Sequence, residues 1–494
     1  MFIRNLMKFV VCLWLLVAIN FAAATEQSTS VTINNINVVN AETGKVEHQQ
    51  TVIVENGVIS KVYKTNDKSK NNVGRVIDGS GKYLIPGLID SHVHISSTLG
   101  MSLDQEAEYP KLVKQFQQQL PKSYLYFGFT SLVDLNSFPG RLTEFRQQPI
   151  HPEVYDCGSA LMLENGYPLV FMPKKKRLQV APNIIFNPDS NKHVAGVLAK
   201  THSIAEGIKR VKAGGAICVK SFHEDGFAKP IWPVPSSKML QEMATEAHKY
   251  ELRLLLHANS INAYKAVLDS GVDIIVHGMW NWDEYRGQAG LPNDIKAVLN
   301  EIILKDIGVM PTLRVLGGSN DMFNTEFLQQ PEIAKVLPKA FLEWLKSPKA
   351  NWFKASLVKR LKMSETVIAD KQRNIITEGN RAFKYLYQRD AKILFGTDTP
   401  ASPSYGNVPG FNGYLEMKAL ANAGMALKDL LASATIRNAE AFGLENKLGS
   451  IVVGKTANLL ILNDNPLKTI EAYNNIDQVV LQGEVYNRED FAVN

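Results

Sequence analysis

Residues 87–94 read GLIDSHVH. An apolar run ending in an acid is followed by two histidines one residue apart. Successive side chains of a β-strand point to opposite faces, so His92 and His94 share a face and Val93 takes the other. Two imidazoles on one face can grip one metal ion, but an isolated H-x-H also describes a surface pair at a strand end. The rest of the chain decides between the two.

Outward from this stretch, short apolar runs alternate with helical ones. The strand candidates are LIPGLIDSHVH, FGFTSLVDL, EVYDCGSAL, GAICVKSF, LRLLLHA, GVDIIVHG, GVMPTL and AKILFGTD. Helices are predicted between many of them, for example over Ser236 to Tyr250 and Ile261 to Gly271, where apolar residues recur at helical spacing. Eight such strands with helical connections predict an α/β fold, a distorted (β/α)8 TIM barrel; a doubly wound open sheet is the alternative that periodicity leaves open. The barrel places chemistry at the carboxyl ends of its strands. His92 and His94 end the first candidate, Lys220 lies near the end of the fourth, His257 closes the fifth, His277 the sixth and Asp398 the eighth. Each is a metal ligand or a proton carrier at a strand mouth.

The flanks differ in texture. Ser30 to Lys82 is rich in β-branched residues with turn signals at AETGK, ENG and DGSGK, and a similar patch returns as GSIVVGKTANLLILN and IDQVVLQGEVYN. Residues 25–85 and 447–494 are expected to build one composite β-domain around a barrel at 86–446. A stretch at about 280–389, containing FLEWLKSPKANWFKASLVKRLK, interrupts that barrel. It reads as a lid, as barrel-flanking helices or as a face for a homo-oligomer.

At 494 residues, with 45% hydrophobic and 21% charged residues, the composition is that of a globular enzyme rather than of a disordered or polytopic membrane chain. The net charge of +6 is spread out. PKKKR (Pro173 to Arg177) is read as a solvated loop, so no nucleic-acid partner is expected. Residues 1–24 have the layout of a secretory signal: Arg4 and Lys8, an apolar run from Phe9 to Ile19, then Ala22, Ala23 and Ala24. That run is far shorter than the roughly 20 residues of a spanning helix, so no stable membrane insertion is expected after cleavage, and the location is periplasmic or secreted. Cys157 and Cys218 then remain. Export permits a disulfide between them without requiring one, and Cys218 is read as a small barrel-core residue on the same strand face as Lys220.

Jointly, IPGLIDSHVH, the histidines of HANS and VHG spaced 20 positions apart, FGTD, and the tail LGSIVVGKTANLLIL resemble the amidohydrolase superfamily, specifically its imidazolonepropionase-like and Xaa-Pro dipeptidase-like branch, from about Asn35 to Asn487. The resemblance implies that His92 and His94 bind the more buried metal, that His257 and His277 bind the more exposed one, and that a carboxylated Lys220 bridges the two. It also implies that Asp398 binds the first metal and handles protons. Asp398 and His277 are the candidate catalytic residues, and one or two divalent ions, zinc foremost, the expected cofactor. The expected activity is cleavage of an amide bond of a small-molecule substrate, such as a dipeptide or an acylated amino acid, by a metal-bound hydroxide. A cyclic-amide, ester or phosphoester hydrolase is the alternative, and a non-catalytic binding barrel a further one.

Two departures stand out. Asn458 replaces the aspartate of the usual tail pattern, away from the expected chemistry. The segment SFHEDGFAKPIWPVP after Lys220 lacks a glycine-rich continuation, which weakens the dipeptide reading; its His223, Glu224 and Asp225 are rival ligands to Lys220. His248, within a helix, is read as structural.

Overall fold

The computed structural model describes residues 30–65, 72–226, 230–401 and 403–493. The expected signal sequence lies outside them, and among the described residues no helix is long and apolar enough to cross a membrane.

Both ends of the chain build one eight-stranded sheet. Its order is Glu484–Asn487, Ile476–Leu481, Leu459–Leu462, Tyr83–Pro86, Ser30–Val39, Val46–Glu55 and Val58–Lys64, with Arg75–Asp78 also paired to Ser30–Val39. The antiparallel ladder between Leu459–Leu462 and Tyr83–Pro86 joins the two ends. The ENG signal forms a hairpin turn, with Asn56 and Gly57 both at positive φ, 52° and 77°, as a tight turn matched to strand twist requires.

The opening stretch crosses from this sheet into the rest of the molecule at Gly87. The residue before it ends one strand, and Leu88–Val93 begins another. A Cβ at Gly87 would lie 2.0 Å from Thr130 Oγ1, so the crossing is close enough to need glycine.

Seven of the eight predicted strands form two parallel arcs. Leu88–Val93, Phe129–Asp134 and Glu153–Asp156 make one; Cys218–Phe222, Arg253–His257, Ile274–Val276 and Gly308–Met310 make the other. Strand order follows chain order in both, without the reversal that defines a doubly wound sheet. The eighth predicted strand, AKILFGTD, is corrected: it forms no regular ladder. It contributes single parallel bridges, Ile393 to Val309 and Thr399 to Val93, while Leu161 bridges to Ser221 between the arcs. Side-chain hydrogen bonds take over where the ladder fails. Asn438 donates to the carbonyls of Ile89 (2.9 Å) and Phe395 (2.8 Å) and accepts from the Phe395 amide (3.1 Å), fastening the first strand to the eighth segment.

Alternation along the strands sorts their side chains into two cores. Leu254 and Leu256 join the large helix-packed cluster, whereas Leu255, Ile274, Val276, Met310 and Leu394 form the inner one with Cys157 and Cys218. Those two cysteines form a disulfide across a Cα separation of 4.4 Å, so Cys218 is in the core as read, but as half of a crosslink. PKKKR is corrected at its last residue. Lys174, Lys175 and Lys176 are exposed, but Arg177 is buried and donates to the Met172 carbonyl and to Asn165 Oδ1, both at 3.4 Å.

The stretch at about 280–389 is mostly helical. Its longest helix, Glu365–Tyr387, rests on Trp280 at Gly379, where a Cβ would meet the indole at 2.5 Å.

Candidate metal centre

The first and eighth segments deliver their side chains as one stitched unit. His92 O accepts from the Asp398 amide (2.7 Å) and Thr399 O from the His94 amide (2.8 Å). Beneath them, buried Asp90 accepts from the Thr397 amide (3.0 Å) and hydroxyl (2.6 Å) and from the His92 amide (3.2 Å). Burial outweighs these bonds and raises Asp90 to about 7. Gly396 is required here, since a Cβ would lie 2.3 Å from Met310 Sδ and 2.8 Å from His92 Cβ.

At the mouth, His92 Nε2 and His94 Nε2 are 3.2 Å apart, and Asp398 Oδ1 lies 3.1 Å from the first and 2.8 Å from the second. A tetrahedral ion with bonds of about 2.1 Å holds its ligand atoms roughly 3.4 Å apart, so three atoms at these spacings suit one divalent ion. His92, His277 and Asp398 also bring ligand atoms within 4.8 Å of one another. Protonation agrees with that use. Burial drives His92 down to about 3 and His277 well below the ordinary histidine value, leaving neutral imidazoles with free lone pairs. Burial pushes Asp398 up, but His92 and His94 beside it outweigh this and hold the carboxyl well below the usual range, as an anion. Among the described residues the buried His92 Nδ1 has no hydrogen-bond partner.

The fifth and sixth strands bring His257 and His277 together, ring centroids 4.5 Å apart, and His277 lies 5.3 Å from the His92 ring. His257 arrives by alternation, on the same face as inward Leu255. His277 does not. Ile274 and Val276 point inward, so regular alternation would turn His277 outward; its φ of 88° returns it to the centre. Asp398 is left-handed as well, at 60°. Such backbone costs about 1–3 kcal/mol per residue and persists where the surroundings over-determine it, most often at functional sites. Thr312 Oγ1 sits 2.7 Å from His277 Nδ1, which leaves Nε2 for the centre.

Lys220 is buried in the same interior. Burial lowers its ammonium to about 7, with Asp398 pulling the other way, and its Nζ stands 5.4 Å from the centroid of the Phe222 ring. Of the rival ligands, Glu224 comes nearest: its Oε2 lies 3.4 Å from His257 Nε2 and accepts from Asn259 Nδ2 at 2.7 Å. His92, His94, His277 and Asp398 therefore come together, His257 joins them through His277, and Lys220 is buried close enough for Asp398 to act on its charge. His248 stays at the surface against Asp273 (2.9 Å), as expected of a structural residue.

Sequence reasoning passed over Asp90, Thr312, Asn259 and, from the excursion after the third strand, Tyr167. Its ring lies 4.9 Å from that of His257. Asp90 and Asn259 sit within the quoted motifs and were open to notice; Tyr167 carries no periodic signal.

The profile of the Amidohydrolase family matches residues 83–486. A 5'-deoxyadenosine deaminase of Methanobrevibacter smithii is 21% identical over 85% of this chain and 81% of its own length. An adenine deaminase of Thermosipho africanus is 35% identical over 19% of this chain, and the match spans only 15% of the relative. Among solved structures, a Xaa-Pro dipeptidase with bound methionine in its active site superposes with a TM-score of 0.62 at 18% identity, over 93% of this chain and all of the other. Molinate hydrolase superposes with 0.65 at 18% over 93% and 95%, and the A. niger ochratoxinase with 0.63 at 16% over 93% and 96%. At these identities the likeness is one of α/β fold. With the profile covering most of its length, the chain belongs to the Amidohydrolase family.

Proposed function

We propose that the protein is a metal-dependent hydrolase that cleaves an amide or related carbon–nitrogen bond of a small molecule, a dipeptide or an acylated amino acid first among them. The observation that carries this is the convergence of His92 Nε2, His94 Nε2 and Asp398 Oδ1 beside His277. On this reading the seven strands and the bridged segment at Ile393 are the eight staves of a distorted (β/α)8 barrel, with residues 25–85 and 447–494 as a composite domain. His92, His94 and Asp398 would hold one ion; His257 and His277 would hold a second, and Lys220, as a carbamate, would bridge them. The lowered basicity of Lys220 supports that modification, because a neutral amine is the form that adds carbon dioxide.

A divalent ion at such a centre lowers the pKa of bound water to about 7 and polarises a carbonyl. The chain's own groups do the rest. The Asp398 carboxylate, anionic beside the imidazoles, would accept the proton of the attacking water and return it to the leaving nitrogen, a base turned acid. His277, fixed by Thr312 at Nδ1, would present Nε2 to the ion beside which the carbonyl is polarised. We propose export as well, supported by the layout of residues 1–24 and by a disulfide, which persists in oxidising compartments.

Elemental analysis of the mature protein, purified without chelators in bicarbonate, tests the reading. Two transition-metal ions per chain are expected with Lys220 carboxylated. One ion demotes Lys220 and favours the cyclic-amide reading, and none after added zinc makes the chain a binding protein. The deaminase match over most of the chain supports a second reading, hydrolysis of an amino group from a purine. Ammonia release from 5'-deoxyadenosine, absent with N-acyl amino acids, would establish it instead.

A further inference from the structure

The seventh predicted strand, GVMPTL, brings no metal ligand to the centre, yet the chain turns sharply at its end. Gly308–Met310 is followed by Pro311 and then by Thr312, which is buried and left-handed at a φ of 44°. That backbone is uncommon for a β-branched residue and persists only where its surroundings hold it. Two positions later the helix Arg314–Asp321 begins.

The hold comes from a helix about a hundred positions away, Phe411–Asn422, on which Glu416 is wholly buried. Glu416 Oε1 accepts from the Leu313 amide at 2.9 Å and Oε2 from the Arg314 amide at 2.6 Å. One carboxylate thus takes two of the amides that open the next helix and have no partner within it. A carboxylate is rarely buried without a paired cation. Here the guanidinium of Arg314 bonds instead to Asp321 and to Asn412 Oδ1 (3.3 Å), and burial raises Glu416 to about 7 in spite of its two amide bonds. Asn412, one helical turn before Glu416 and equally buried, also brings its side-chain amide within 3.5 Å of the carbonyl of Thr397, the residue before Asp398. One face of this helix therefore meets the ends of both the seventh strand and the eighth segment.

What the clamped turn holds is the ring of His277. The main chain of His277 is fixed separately: its amide donates to the Met310 carbonyl (2.9 Å), and its carbonyl accepts from the Tyr264 hydroxyl (2.8 Å). Those bonds locate the residue but leave its ring free to turn. Among the described residues the ring has one hydrogen bond, between Nδ1 and Thr312 Oγ1 at 2.7 Å. The place of that oxygen depends on the left-handed Thr312 backbone, and the two amides that follow it are the ones Glu416 holds.

We infer that Glu416 is a positioning residue for the metal centre: by clamping the Leu313 and Arg314 amides it sets Thr312 Oγ1, and through it the direction in which His277 Nε2 faces. The inference deepens the proposed reading of the centre and rests on it only for His277 being a metal ligand. Loss of the outer bond that orients a ligating histidine ordinarily weakens metal binding about 10- to 100-fold.

The test uses the full-length mature protein and two readouts. Titration with cobalt(II), followed by absorption, gives metal affinity, and ¹⁵N spectra of histidine-labelled protein report the His277 ring with no metal present. Glu416→Gln keeps the volume of the side chain but turns an N–H group toward one of the two amides. The more weakly held cobalt ion is expected to lose about tenfold or more in affinity in Glu416→Gln and likewise in Thr312→Ala. The double variant should be no worse than the poorer single one, because both break the same chain of contacts. The His277 ring resonances, assigned by their loss in His277→Gln, should shift in metal-free Glu416→Gln. Thr312→Ser, which keeps the oxygen, should retain the affinity. Asp273→Ala, destabilised far from this turn, should change neither readout. If Glu416→Gln does not fold, Glu416→Asp, which withdraws the carboxylate by one carbon, is read in the same way. Unchanged affinity or unchanged His277 resonances in a folded Glu416 variant, losses that add in the double variant, or equal changes in Asp273→Ala overturn the inference and leave the hydrolase reading in place. A native protein that binds no cobalt overturns the metal-centre reading instead, and the resonances then judge Glu416 alone: a shift upholds its hold on His277, and no shift overturns it.

Discussion

The two ends of the parallel strands are both rich in charged and titratable groups, yet they are built on different principles. At the amino ends lies a cavity of about 470 Å³ lined by Arg253, Asp273, Lys305, Asp306 and Lys392, and next to it one of about 520 Å³ bordered by Tyr387, Asp429 and Arg437. Here charges are matched in pairs. Arg253 meets Asp273 at 3.2 Å, Lys305 meets Asp269 at 3.4 Å, and Arg437 meets Asp429 at 2.9 Å. At the carboxyl ends, neutral imidazoles and one carboxylate converge on a common point. What separates the two ends is that the foot pairs are partly exposed opposite charges, whereas at the mouth several buried ligand atoms converge on one point.

The largest effect that would break this contrast is at Asp398. Asparagine is isosteric and tolerates left-handed backbone, so Asp398→Asn should fold while losing the proton carrier. Turnover is expected to fall by about 10²–10⁴-fold with the thermal midpoint retained, the range for removing a general acid–base. Full activity in this variant would remove Asp398 from the chemistry. His92→Ala should lose bound metal together with activity, read by elemental analysis, and retention of both would sink the ligand assignment.

Next in size is the crosslink between the mouth and the core. Cys157 and Cys218 close a loop of 61 positions and pin the third strand end to the start of the strand that carries Lys220. Chain entropy sets the stabilisation at about 4 kcal/mol, an upper figure if the uncrosslinked chain keeps structure. Cys157→Ala with Cys218→Ala should lower the denaturation midpoint by a corresponding amount. An unchanged midpoint would show that the crosslink contributes nothing.

How much of this contrast is legible in the sequence differs from residue to residue. His257 and Lys220 follow from strand alternation, because each continues the parity of an inward apolar neighbour, Leu255 and Cys218, whereas Asp398 lies in an irregular segment and is aimed by its left-handed backbone. The parity of His277 points outward, and only its backbone angle brings it in; the motif located it and the periodicity did not. AKILFGTD was predicted as a strand from its apolar pattern, but it pairs only through scattered backbone bonds to Val309, Ser91 and His92, to which Asn438, about forty positions later, adds side-chain bonds. Tyr167, whose ring packs 4.9 Å from that of His257, was invisible because it comes from an irregular segment whose placement depends on tertiary packing. Composition likewise left the disulfide open, since two cysteines carry no pairing information.

At the foot, Asp273 should behave as a structural hub. Its carboxylate accepts from the Leu254 amide (2.8 Å) and pairs with His248 and Arg253. Asp273→Ala leaves that amide short of a partner and is expected to cost about 2 kcal/mol in denaturant unfolding, with metal content and turnover unchanged. Lost turnover in a stably folded variant would mean that the two ends are coupled.

The smallest effect separates two uses of the same backbone angle. Glu251, Asp306 and Asp390 are left-handed, at 58°, 51° and 57°, like Asp398 at the mouth. At the foot, however, each closes a helix. The amide that follows bonds back to a carbonyl five residues earlier: Leu252 to Ala247, Ile307 to Ile302 and Ala391 to Leu386, at 3.1, 3.1 and 3.2 Å. This is the helix-ending turn in which glycine is the favoured residue. The turn before Cys218–Phe222 follows the same scheme with Gly215 at 83° and the Ala216 amide reaching Val211 at 3.4 Å. None of the three side chains is needed for the turn itself, and the pair of Asp306 with Lys392, 3.7 Å apart and exposed, contributes little. Replacing all three by glycine relieves the left-handed strain but adds backbone freedom to the unfolded chain, so the net gain is modest, roughly 1 kcal/mol in total. Denaturant unfolding should register that gain with turnover unchanged. The same angle at Asp398 is fixed by its amide bond to His92 and serves to aim a carboxylate, so Asp398→Gly should relieve the same strain and abolish activity. A foot triple that lost stability would show that those turns hold their angle for a reason other than ending a helix.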